Sequence, residues 1–211
     1  MRQAEKRPKD GGGFRACSLE AAFAAFDEAN SADPVKEKFE GNGFPKELLY
    51  ARRMSEWLDN LYPAASPALR LAARCQHIER WKSPRSDYPE GRVGYLTWRR
   101  DLKNFHARRA SEILQSLGFP EEIIERVAAL IRKERLKSDP ESQALEDVVC
   151  LVFLTSYLED FAQSHRAEKV VDILRKTWSK MSETGRRSAL ELELSPAVSA
   201  LIGEALGASE T

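Results

Sequence analysis

The sequence predicts an all-α fold, a single helical bundle, and three observations carry that expectation. Apolar residues recur at i, i+3 and i+4 along most of the chain, Ser-Pro and Asp-Pro pairs stand where those stripes begin, and strand-period alternation is missing. Ser18 is a candidate N-cap, and the stripe Phe23, Phe26, Ala29 gives a first helix to about Asn30. Residues 33–44 read as loop. Proline, whose missing N–H is harmless in a first turn, marks the next starts: Pro45 for a helix over 45–62, Ser66-Pro67 for 67–81, Pro120 for 120–136, Asp139-Pro140 for 140–163 and Ser195-Pro196 for 196–206. Segments 104–117, closed by Gly118, 167–182 and 185–192 complete the set. Residues 1–15, with Arg2, Lys6, Arg7 and Lys9 ahead of the glycines at 11–13, read as a disordered basic tail, and 16–207 as the bundle domain.

Composition narrows the function classes. A chain of 211 residues is long enough for one sizeable core. Lys plus Arg equals Asp plus Glu at 33 each, so no global field draws the protein to nucleic acid or to an anionic membrane; such a contact would need a local patch. Cys17, Cys75 and Cys150 fit no ligand spacing, and the last two sit in apolar helical runs where a thiol acts as a small hydrophobe, pointing to a reducing compartment. The longest apolar stretch, Val148 to Leu154, is far below the roughly 20 residues of a membrane span, and the N-terminus lacks a signal-peptide core. These features predict a cytoplasmic protein with no membrane contact.

Chemistry enters through polar groups on apolar stripes. His77 and His106 fall on the inward faces of successive helices, and so do Glu47, beside Tyr50 and Met54, Glu134, after Leu130 and Ile131, and Asp147, between Ala144 and Leu151. A carboxylate or imidazole turned to a core needs a partner. A divalent cation would serve all five at once; Arg52, Arg53 and Arg74 could instead form ion pairs with Glu47, Glu134 or Asp147. Between the histidine helices runs a long irregular stretch, residues 82–92 extended to Arg100, with Pro84, Tyr88, Pro89, Tyr95 and Trp98. Its length and aromatic content read as an ordered lid, which puts Arg85, Arg92, Arg99 and Arg100 on the rim of any pocket the histidines share. Guanidinium groups there suit a small phosphate-bearing molecule, although a basic loop is also simply well solvated.

Two resemblances sharpen this. The run Leu69 to Val152 resembles the HD-domain phosphohydrolases, helical bundles that hold one or two divalent metals. Phe105-His106-Ala107 through Gly118-Phe119-Pro120 to Val127 resembles the helix-turn-helix that carries that family's third histidine, and Leu145-Glu146-Asp147 its last motif. The chain departs where the family has His-Asp-Ile-Gly, carrying Gln76-His77-Ile78-Glu79 instead; Glu47 is the nearest match to the first histidine, and Lys133 or Glu134 stands where a further histidine is common. Over nearly the whole chain after the tail, the sequence is similar to the domain-of-unknown-function 4202 family, through strings such as Glu47-Leu48-Leu49-Tyr50-Ala51-Arg52-Arg53-Met54, Gln76-His77-Ile78-Glu79-Arg80-Trp81 and Gly94-Tyr95-Leu96-Thr97-Trp98-Arg99. That likeness implies no particular chemistry.

No nucleophilic triad, phosphate-binding glycine loop, Cys-x-x-Cys pair or dinucleotide fingerprint occurs. Metal-assisted hydrolysis of a nucleotide or small phosphoester is the remaining enzyme expectation, with the ion held by His77, His106 and Asp147, Glu134 or Glu47 as base or added ligand, and the loop arginines on the phosphoryl group. The competing expectation is an HD-like bundle that binds an anionic metabolite or nucleotide without turning it over.

Overall fold

The computed structural model describes residues 18–136 and 138–207, so the tail expected over 1–15 lies outside the described residues. The architecture is all-α apart from one small hairpin. Helices α1 (Leu19–Ser31), α2 (Lys46–Leu61), α3 (Pro67–Arg74), α4 (Gly91–Ser116), α5 (Glu121–Arg132) and α6 (Pro140–Ser156) are followed by α7 (Leu158–Ser164), α8 (Ala167–Trp178), α9 (Glu183–Leu190) and α10 (Pro196–Gly207). The expected Ser18 cap forms, and the helix starts at Ser66-Pro67 and Asp139-Pro140 are capped as well: the side chains of Ser18, Ser66 and Asp139 accept the backbone N–H of Ala21, Leu69 and Glu141 at 3.1, 3.2 and 3.0 Å. Each satisfies a donor that the first helical turn leaves free.

Two apolar clusters share one helix. Leu145, Val148 and Val152 of α6 join a core built from α1 to α5, with Phe26, Met54, Leu71, Leu114 and Ile131 at its centre. Cys150, Leu151 and Leu154, on the other side of α6, join Leu158, Val170, Val171 and Leu174 in a second cluster closed by α9 and α10. A helix apolar on both sides must be buried on both sides, and α6 is the element on which the two halves meet.

Five segments depart from the sequence expectation. The loop at 33–44 contains an antiparallel hairpin, β1 (Lys36–Phe39) and β2 (Asn42–Pro45), paired from Lys36↔Pro45 to Phe39↔Asn42. Glu40 and Gly41 at its tip both have positive φ, 49° and 81°, as a two-residue hairpin of the I′ type requires. Its strands face solvent, so no apolar alternation announces them. Instead Arg53 of α2 fastens it, with Nη1 2.5 Å from Glu37 Oε1 and the guanidinium over the Phe39 ring. Helix α3 ends at Arg74 rather than 81, the lid is confined to two single 3-10 turns (Arg80–Lys82 and Arg85–Asp87), and Val93 to Arg100 belong to the first turns of α4. Helix α5 stops at a left-handed Lys133, so Glu134 lies beyond it, and the helix expected over 140–163 breaks at Tyr157.

Candidate functional site

The premature end of α3 is what presents His77. Residues 75–79 form a turn that ends at Glu79 in the left-handed region, φ 50° and ψ 34°, a conformation that costs a non-glycine residue about 1 kcal/mol or more. Asn30, at the end of α1 and buried, holds it there: Oδ1 accepts the Glu79 N–H at 2.9 Å, while Nδ2 donates to the Glu47 carbonyl at 3.4 Å. Buried Asp33 completes the clamp, accepting the Glu47 N–H at 2.9 Å on Oδ2 and the Val35 N–H at 2.9 Å on Oδ1. One polar pair therefore fixes the start of α2 and the His77 turn against each other.

On this clamp three of the expected residues converge. The Glu47 carboxylate lies 3.4 Å from His77 Nδ1 and 3.9 Å from Arg80 Nε. The His77 ring stacks on Tyr50, with centroids 4.1 Å apart and planes 13° from parallel, and Arg80 Nη1 stands 3.2 Å from His77 Nε2. Arginine can only donate, so His77 Nε2 is the acceptor and Nδ1–H faces Glu47. His106 follows at 5.8 Å between ring centroids. Its Nδ1 is 2.8 Å from the Ile78 carbonyl, which can only accept, so that nitrogen carries the proton.

Burial and surrounding cations set the charge states. Desolvation first, then Arg80, Arg99, Lys133 and Lys46, push His77 well below the ordinary histidine value. His106 is lowered to about 3, again by burial first and then by His77. Both rings are neutral near pH 7. Burial raises the Glu47 carboxyl against the pull of Arg80 and Lys46. With Nδ1 protonated, neutral His106 presents a bare lone pair at Nε2, and that atom is buried with no partner. Gln76 Oε1 and the Tyr50 hydroxyl are likewise buried and unpartnered.

Gln76 and His106 line a narrow cleft of about 20 Å³ together with His77, Arg80, Arg99, Lys103 and Lys133. Its wall comes from α4, where Arg99, Lys103 and His106 stand at i, i+4 and i+7 on one face. Two of its cations are neutralised in part: Lys133 Nζ pairs with Glu146 Oε2, and Arg80 faces Glu47. Burial pushes Glu146 up, but Lys133 and Lys180 outweigh it and hold its pKa below the usual carboxylate value. Arg99 and Lys103 have no ion pair among the described residues. Burial, with Lys133 and Arg99, lowers the Lys103 ammonium below its ordinary value. A wider cleft of about 240 Å³ on the other side of His77 and Arg80 is lined by Lys46, Glu47, Tyr50, Val149, Phe153 and Tyr157.

The remaining expected residues stand elsewhere. Asp147 is fully buried but already satisfied: it accepts from the Tyr62 hydroxyl at 2.7 Å, Gln143 Nε2 at 3.0 Å, the Ser182 N–H at 2.8 Å and the Ser182 hydroxyl. Glu134, past the end of α5, is half exposed and pairs with Arg132 at 3.2 Å. Among the described residues no three His, Cys, Asp or Glu side chains come together as a metal-ligand set, so the expected trio His77, His106 and Asp147 does not fit one ion. Of the rim arginines, Arg99 lines the narrow cleft, and Arg85 lines a neighbouring one while donating to the Tyr88 and Pro89 carbonyls at 2.8 and 2.9 Å. Arg92 is exposed, and Arg100 pairs with Asp101 at the surface. The arginines proposed as carboxylate partners are used otherwise: Arg52 and Arg74 face Asp27, and Arg53 faces Glu37. Sequence reasoning missed Asn30, Asp33, Tyr50, Gln76, Arg80, Lys103 and Glu146. The i, i+4, i+7 spacing of Arg99, Lys103 and His106 was the available signal for the basic wall.

Fold and site together define a helical protein with a histidine pair, His106 buried and His77 half-buried, beneath a cationic cleft. The chain belongs to the family described as domain of unknown function (DUF4202), which matches residues 20–202. Neither a curated protein nor a solved structure matches it. No helix among the described residues is long and apolar enough to cross a membrane.

Proposed function

We propose that the cleft above His77 and His106 binds a small phosphate-bearing molecule. The observation that carries this reading is the pair of unneutralised cations, Arg99 and Lys103, beside the unpartnered Nε2 of His106. A half-buried ammonium at Lys103, disfavoured by burial and then by the neighbouring Lys133 and Arg99, is unfavourable for the empty protein and favourable for an anion. Arg99 supplies a planar fork for a phosphoryl group, and Lys103 a point charge. A satisfied structural network would leave neither the cations nor the imidazole lone pair without a partner.

A second reading is hydrolysis of the bound ester, in line with the remote likeness of Phe105 to Val127 to the HD-domain phosphohydrolases. In its favour stands the same His106 Nε2, an acceptor able to hold an attacking water. Among the described residues no three His, Cys, Asp or Glu side chains form a metal-ligand set. The test is a thermal-shift panel of nucleotides, sugar phosphates and inorganic phosphate, run with and without Mn²⁺ or Mg²⁺, followed by phosphate release on the same panel. Stabilisation without release supports binding alone. Metal-dependent release would raise the hydrolase reading above it, and no stabilisation by any member contradicts both.

A further inference from the structure

The unpartnered atoms restrict what the anion must carry besides charge. His106 Nε2 is an acceptor, because the Ile78 carbonyl takes the proton on Nδ1, and none of the four cations lining the cleft bonds to it. Gln76 Oε1, on the same cleft and buried, is a second acceptor without a partner. A phosphate ester dianion offers only acceptors, so it answers Arg99 and Lys103 but leaves both of these atoms bare. An acceptor left unpaired in a buried site counts against whatever ligand closes over it. The cleft is narrow, about 20 Å³, which suits a group of about the size of a water, such as a hydroxyl.

We propose that the ligand is a phosphate ester with two neighbouring hydroxyls, one entering the cleft and donating to His106 Nε2 and the other donating to Gln76 Oε1, while its phosphate stays at the mouth against Arg99 and Lys103. The proposal rests on the anion-binding reading above. It adds that recognition lies in hydroxyls close to the phosphate, as in glycerol or sugar phosphates.

The experiment compares two esters that differ in hydroxyl content, n-propyl phosphate and glycerol 3-phosphate, by titration calorimetry at pH 8, where both are dianions. Glycerol 3-phosphate binds the native protein at least ten-fold more tightly, about 1.4 kcal/mol. His106→Phe and Gln76→Met each cut that preference. Gln76→Met decides the matter if His106→Phe fails to fold, since the Gln76 amide oxygen has no hydrogen bond to lose. Equal affinity of the native protein for the two esters overturns the hydroxyl requirement and leaves the anion reading standing, as does a Gln76→Met protein that keeps the full preference. Binding of neither ester removes the anion reading and this proposal with it.

Discussion

Two buried carboxylate regions, one around Asp147 and one around Glu47, behave in opposite ways. Asp147 ties α6 to the start of α9 through Ser182 and to the end of α2 through Tyr62, with Gln143 of α6 also donating to it, and the fit is so close that a Cβ on Gly185 would lie 2.7 Å from its Cγ. Glu47 has looser partners, 3.4 Å to His77 and 3.9 Å to Arg80, a raised pKa, and neighbours with unpaired polar atoms. Packed structure satisfies its polar groups; a binding site holds some in reserve for a ligand. The first region is therefore expected to govern stability and the second affinity, and each prediction below is a way to break that division.

The largest effect is expected at Asp147. Asp147→Ala leaves the Ser182 N–H and the Tyr62 and Ser182 hydroxyls without their acceptor and should destabilise the protein by about 3 kcal/mol, on the scale of hydrogen bonds to a charged group. Urea unfolding measures it. Gly185→Ala should act in the same direction, because the carboxylate that fills the space is itself immobilised. Neither change should alter phosphate-ester affinity in the fraction that remains folded. An affinity loss without a stability loss would return Asp147 to the site.

Asn30→Ala should have the next effect, about 1–2 kcal/mol, since it frees the left-handed Glu79 turn and the Glu47 carbonyl together. Unlike Asp147→Ala it should also weaken ester binding, because it moves both sides of the histidine pair. A stability change alone would make Asn30 part of the scaffold only.

The pH dependence comes third. His106 has its pKa lowered in the folded protein from 6.5 to about 3, and His77 is lowered as well, so below pH 6.5 the unfolded chain takes up protons that the folded one cannot. Stability is fully present above pH 6.5 and falls as the pH drops toward the folded values, with a slope of about 1.4 kcal/mol per pH unit for each group at its steepest. The raised Glu47 carboxyl acts in the opposite sense, favouring the folded state as the pH falls through its folded pKa. His106→Phe should flatten the loss between pH 6 and 5 relative to the native protein; an unchanged slope would mean that His106 is not held neutral.

The smallest effects separate the rim arginines. Arg99→Lys keeps the charge but removes the fork, and should weaken ester binding several-fold with the melting temperature unchanged. Arg85→Lys should loosen its loop, through the lost bonds to Tyr88 and Pro89, more than it affects the ligand. Arg92→Ala and Arg100→Ala should change neither. A binding loss in either would extend the cleft farther along α4 than its lining residues do.

Much of this division was legible in the sequence. Helical periodicity, the Ser18 cap and the Ser66-Pro67 and Asp139-Pro140 starts located most helices, and polar residues on apolar stripes marked Glu47, His77 and His106 as converging groups. Periodicity states which way a side chain faces and not what meets it, which is why Asp147 looked like a ligand although Ser182, 35 residues away, satisfies it. Glu134 continued a stripe that the left-handed Lys133 cuts short. The hairpin was hidden because its docking depends on Arg53 rather than on an apolar face, and the N-terminal turns of α4 were hidden behind the Pro89-Glu90-Gly91 turn. The clamp of Asn30 and Asp33 joins segments too far apart in the chain for any local pattern to reveal.

The central claim, that Arg99 and Lys103 are kept unpaired for an anion, is tested most directly by Lys103→Met measured twice, for melting temperature and for glycerol 3-phosphate affinity. Removing an ammonium that burial, and then Lys133 and Arg99, already disfavour should leave the melting temperature unchanged or raise it, while affinity falls ten-fold or more. A lowered melting temperature with unchanged affinity would contradict the account and make Lys103 a structural residue.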